Sequence, residues 1–94
     1  MVIGVCTLEL DIPASQSLKD KRHVVKSVIA RVRQSFNVSV AEVDALDAWK
    51  NAVIGIVCVS ADEKYAHGLL EKVIDNIERS RLDAVIADYS IEMW

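Results

Sequence analysis

Four cations, Lys19, Arg22, Lys26 and Arg33, recur at spacings of three, four and seven residues. On a helix advancing about 100° per residue they share one stripe, and a row of cations on a rigid rod suits the phosphates of a nucleic-acid backbone. A second constellation overlaps it. Ser17, Lys19, Lys21 and Arg22 open the same segment, and Trp49 stands in a later loop. A helix N-terminus with free N–H groups, three cations and an indole on which a base could stack make an anion-binding edge. The competing reading is structural: Lys21 and Arg22 pair with Asp44 or Asp47, and Trp49 packs over its loop.

Enzyme chemistry finds less support. His23 and His67 are the only histidines, and both fall in helical segments. On the helical wheel His23 points to solvent, where a solvated imidazole needs no catalytic explanation. Neither a Ser/His/Asp nor a Cys/His arrangement is evident, and the three glycines are too scattered for a phosphate loop. Acylphosphatase-type phosphatases would require such a loop after the first strand, where Asp11–Ser17 provides none. Cys6 and Cys58 lie in apolar runs without further ligands at metal spacing, so free buried thiols and neither metal nor cofactor are expected. These features point to a noncatalytic binding module.

Charge localises the binding. The net charge of −3 opposes coating of nucleic acid by the whole surface. Between Leu18 and Phe36, however, six basic residues face the single acid Asp20, so this segment carries +5 and the remainder −8. Ninety-four residues, 52% of them hydrophobic, suffice for one core, and residues 1–94 are read as one domain. No apolar run approaches the roughly 20 residues of a membrane span, and the N-terminus lacks a signal-peptide pattern. A cytoplasmic setting without membrane association is expected.

The elements that must hold these residues follow from periodicity. Val2–Leu10 is apolar and β-branched, with Thr7 and Glu9 on one parity, and reads as a strand. Ser17 with Asp20 makes an N-terminal cap signature. Leu18, Val25, Val28, Ile29, Val32 and Phe36 then form the buried face of a first helix. Asn37–Asp44 alternates until Ala41 and Val43 break parity, which predicts a bulge or two covered faces. Ala45–Asn51 is a loop, and Ala52–Val59 is apolar except at Gly55, as in a central strand. Ser60 and Glu63 predict a capping box for a second helix reaching about Arg81. Ala84–Met93 predicts a last strand, with Asp88, Ser90 and Glu92 on one parity and Val85, Ala87, Tyr89, Ile91 and Met93 on the other.

The order βαββαβ predicts an α+β, ferredoxin-like sandwich: a four-stranded antiparallel sheet with both helices on one face, strands one and three central. Strand two then ends beside the start of helix one, so Ser17–Arg22 and Asp44–Lys50 should be neighbours. Ile3, Val5 and part of strand three must occupy the uncovered face, which predicts a homodimer or higher homo-oligomer through the open sheet or an edge.

The segments Ser17–Arg22 (SLKDKR) and Phe36–Val43 (FNVSVAEV), with Asp47 and Trp49, resemble the YlxP-like family of small bacterial proteins across nearly the whole chain. The resemblance implies a ferredoxin-like fold, a bacterial cytoplasmic setting and genomic association with translation and ribosome-maturation genes. It implies no catalytic mechanism. RNA or a ribosomal particle is therefore the leading expected partner, touched through the basic helix. The alternatives are an anion-ligand domain or enzyme at the loop edge, and an assembly factor acting through the open sheet.

Overall fold

The computed structural model describes residues 1–80 and 83–94. Six elements follow the predicted order: β1 (Val2–Asp11), α1 (Leu18–Ser35), β2 (Ser39–Asp44), β3 (Asn51–Ser60), α2 (Glu63–Arg79) and β4 (Val85–Met93). The strands form one antiparallel sheet in the order β2-β3-β1-β4, with the two most apolar strands at its centre.

Alternation along the central pair decides which face is core. Gly4, Cys6, Leu8 and Leu10 of β1, with Ala52, Ile54, Ile56 and Cys58 of β3, turn toward the helices and are buried. Val25, Val28 and Val32 of α1 and Ala66, Leu70, Val73, Ile74 and Ile77 of α2 close over them. Helical period on one layer and strand period on the other thus meet in a single core. Cys6 and Cys58 are free thiols inside it.

The first helix starts where the cap signature placed it. Ser17 Oγ accepts the Asp20 N–H at 3.0 Å, and Asp20 Oδ2 accepts the Gln16 N–H at 3.0 Å, a reciprocal arrangement that satisfies donors the helix itself leaves free. The second cap is a correction. Asp62, not Ser60, caps α2 by accepting the Lys64 N–H at 3.1 Å, while Ser60 Oγ accepts from Asp62 N. The helix starts at Glu63, so the cap position falls on Asp62 and Ser60 lies two residues before it. Arg81, the expected end of this helix, lies outside the described residues.

Two bulges explain the parity changes. In β2 the register against β3 shifts between Glu42 and Asp44, which makes Val43 the extra residue and resolves the ambiguity at Ala41–Val43 in favour of a bulge. In β4 the register against β1 shifts between Glu9 and Leu10, where Asp88 opposes Glu9 and Ile86 opposes Leu10. The expected parity of β4 therefore fails at its start: Ile86 packs against the core and Val85 is exposed, because the bulge inverts alternation before Asp88.

Candidate functional site: the basic face of α1 and the loop edge

The N-terminus of α1 and the β2–β3 loop are neighbours, tied by two lysines reaching in opposite directions. Lys50 Nζ, from the loop, donates to Pro13 O at 2.9 Å and Ser15 O at 2.8 Å. Lys21 Nζ, from the helix, donates to Ala45 O at 2.7 Å and Leu46 O at 3.2 Å. Ile12 N–H also donates to Lys50 O at 2.8 Å.

Lys21 is 0% exposed, and its ammonium stands 2.9 Å from Glu42 Oε2. That oxygen is buried, and the contact is a close ion approach outside hydrogen-bonding angles. A buried charge is tolerated when it is paired and hydrogen-bonded, and Lys21 meets both conditions. The arrangement also holds Ala45, whose φ of 54° is left-handed, a conformation costing a non-glycine residue roughly 1–2 kcal/mol. Asp44 Oδ1 accepts the Ala45 N–H at 2.7 Å on the other side.

These contacts revise the anion-binding set. Lys21 has no surface for a ligand, and its partner is Glu42 with two loop carbonyls, not Asp44 or Asp47. Ser17 caps the helix, and the Asp20 carboxylate already lies at its positive end. Lys19 and Arg22 are exposed beside that edge, and Trp49 is 55% exposed. The loop edge is thus a structural junction with exposed cations on its flank.

The stripe itself is open. Lys19, Arg22, Lys26 and Arg33 are all exposed, and none has a carboxylate within ion-pair distance among the described residues. Lys19, Arg22 and Lys26 border a depression of about 850 Å³ floored by Ile12, Val25 and Ile29. Lys26 and Arg33 border a shallower groove of about 510 Å³ between α1 and β2, over Ile29 and Val40. Lys26 belongs to both. Arg33 Nη2 donates to Val40 O at 3.3 Å, on the free side of the edge strand. Arg31 lies on the opposite flank, with its Nε donating to Asn76 Oδ1 of α2 at 3.2 Å.

Two residues at this site escaped the sequence reading: Asp83, which lines the larger depression together with the exposed His23, and Glu42, which faces the helices from β2. Glu42 was legible, since it shares parity with Val38 and Val40. The burial of Lys21, which its charge masked, has a signal in the wheel: with Leu18 at zero it falls at about 300°, between Val28 and Val32. Asp83 carried no periodic signal. Two acids elsewhere pair locally, Glu71 with His67 Nδ1 at 2.8 Å and Asp75 with Arg79 at 3.2 Å, on exposed parts of α2. Among the described residues no three His, Cys, Asp or Glu side chains gather as metal ligands, and no helix is long and apolar enough to cross a membrane.

Comparison with known proteins agrees with the fold and the resemblance. The chain is similar to two designed proteins, Foldit4 (TM-score 0.51, 14% identity, 100% of this chain and 97% of that one) and LFR1 1, described as having a ferredoxin fold (TM-score 0.53, 14% identity, 100% and 83%). It is 35% identical over 77 residues to the uncharacterized protein YlxP of Bacillus subtilis (strain 168), covering 82% of this chain and 84% of that protein. The model of DUF503, a protein family of unknown function, matches residues 3–91, and the chain belongs to that family.

Proposed function

We propose that this protein is a noncatalytic binding module that holds an RNA backbone along α1, in the setting of translation or ribosome maturation. The observation that carries the reading is an exposed cationic stripe with no ion pair among the described residues. Lys19 to Arg33 spans about 21 Å at 1.5 Å per residue, its four cations are exposed, and grooves open beside it. Structural cations in this chain behave differently: Lys21 and Lys50 each bind two backbone carbonyls. A row of long, exposed side chains, none paired with a carboxylate among the described residues and only Arg33 touching a backbone carbonyl, suits a ligand that supplies spaced negative charge.

The acids on the rest of the surface restrict an anionic ligand to this helix, because long-range repulsion opposes any other approach. Sequence-independent phosphate contact is the expected mode, and Trp49, exposed in the β2–β3 loop whose Lys50 binds the segment before α1, offers a ring on which a base could stack. The test is the salt dependence of binding to a labelled single-stranded RNA. Four phosphate contacts give a slope of log affinity against log salt of about −3, at roughly 0.7 per contact. Binding with a slope near zero, or no binding in dilute salt, would overturn the reading.

A further inference from the structure

The groove between α1 and β2 and the larger depression meet at three shared residues, Lys26, Ile29 and Glu42. Glu42 is the one acid lining the groove among the described residues, and its two oxygens differ. Oε2 is enclosed and stands 2.9 Å from the Lys21 ammonium, which offsets the carboxylate charge. Oε1 is not enclosed and accepts no hydrogen bond among the described residues, and the side chain is 14% exposed. An acceptor left open in a groove with an apolar bed is completed by a donor from the ligand. The rim limits what that donor can be. Arg22, Lys26 and Arg33 are exposed around it, so a lysine or arginine of a partner protein is repelled. A neutral N–H on a molecule that also carries negative charge meets both conditions, and a base joined to its phosphate is such a molecule.

We infer that this junction receives a guanine base of the bound RNA, with Glu42 Oε1 accepting hydrogen bonds from its Watson–Crick edge. The inference rests on the RNA reading above and adds a base preference to phosphate contacts that carry none. Guanine sets N1–H and its 2-amino group side by side, two donors with no acceptor between them, so a single oxygen meets both. Adenine and cytosine place a ring nitrogen acceptor beside their amino group, and uracil flanks its one N–H with two carbonyls. Each of these turns a lone pair toward the carboxylate. Ile29 and Val40 give the ring an apolar bed, and Lys26, which borders both cavities, belongs to the stripe that takes the phosphates. Because Lys21 balances Glu42 from beneath, the acid acts as an acceptor without repelling the RNA backbone.

Fluorescence anisotropy of the full chain with labelled single-stranded RNA tests this inference. The probes are an oligouridine strand and the same strand with one central guanosine, adenosine, cytidine or inosine, all at matched low salt. The guanosine strand should bind about tenfold or more tightly than oligouridine, within the roughly 5- to 150-fold that a good base contact supplies. Inosine keeps N1–H and loses the 2-amino group, so it should fall several-fold below guanosine, on the order of one lost hydrogen bond. Glu42→Gln, folded by circular dichroism, should narrow the guanosine preference to within about twofold and leave oligouridine binding unchanged. Should that variant fail to fold, the guanosine–inosine comparison on the parent decides alone. Equal affinity for all five strands, each with a salt slope of about −3, would overturn the guanine site and leave the phosphate reading standing. Inosine bound as tightly as guanosine, or a folded Glu42→Gln with its preference intact, would also overturn the site. Binding to no strand in dilute salt would overturn both.

Discussion

Replacing Lys21 by methionine removes one ammonium from a site with three acceptors: Ala45 O at 2.7 Å, Glu42 Oε2 at 2.9 Å and Leu46 O at 3.2 Å. The Glu42 oxygen is buried and has no other close polar partner, so it would remain as an uncompensated charge. Breaking a buried pair in this way costs about 3–5 kcal/mol, out of the roughly 5–14 kcal/mol expected for a domain of this length. At about 4–8 °C per kcal/mol for small domains, the melting temperature should fall by at least about 12 °C. The double variant Lys21→Met/Glu42→Leu removes both charges and fills their space with apolar atoms. It should recover about 2 kcal/mol or more of the loss, a coupling that two independent sites would not show. Urea denaturation of parent, singles and double closes the cycle. The same measurement separates tie from ligand site: Lys21→Met, assayed cold where it is folded, should bind RNA like the parent. A single-variant cost below about 1 kcal/mol, or a double variant as unstable as the single, would refute the assignment of Lys21 as the tie between α1 and the loop.

Two further outcomes follow from the interior and the loop. Ala45→Gly should stabilise the protein by up to about 1 kcal/mol, because glycine adopts the observed φ of 54° without Cβ strain; unchanged or lower stability in urea would show that the loop carries no such strain. Burial raises the Cys6 thiol from 9.0 to about 11, so the folded chain keeps its proton where the unfolded chain releases it. The associated stability is complete below pH 9 and is lost as pH rises toward 11, by roughly 2–3 kcal/mol at about 1.4 kcal/mol per unit. The loss should disappear in Cys6→Ala when both proteins are denatured at pH 7 and pH 10.5, and an equal loss in the variant would contradict it.

The layout of the sandwich was readable because period and topology agree. The apolar alternation of β1 and β3 marks central strands, and the valine spacing of α1 marks its buried face. The neighbourhood of the α1 start and the β2–β3 loop followed from strand direction alone. What resisted reading were places where one residue breaks the period. The bulge in β4 turns Ile86 inward and Val85 outward, which no strict alternation can represent. Lys21 resisted for a different reason. Charge suggested a surface residue, whereas its wheel position and the inward parity of Glu42 placed two opposite charges in the same interior space. Types of residue indicated binding; positions indicated packing, and at Lys21 position prevailed. Lys19, Arg22, Lys26 and Arg33 are the cases in which type and position agree, for all four are charged and all four face outward.

That agreement is the basis of the functional reading, and co-sedimentation with ribosomal particles tests it most directly. Tagged parent protein, the variant Lys19→Glu/Arg22→Glu/Lys26→Glu/Arg33→Glu and the control Arg31→Ala are compared at low and moderate salt, with circular dichroism confirming that each is folded. None of the four side chains lies in the core, so the fold should survive the reversal of charge. The parent and Arg31→Ala should travel with the particles at low salt and release as salt rises, and the fourfold variant should stay at the top of the gradient. Equal co-sedimentation of the fourfold variant and the parent, at matched salt and with matching spectra, would contradict the account.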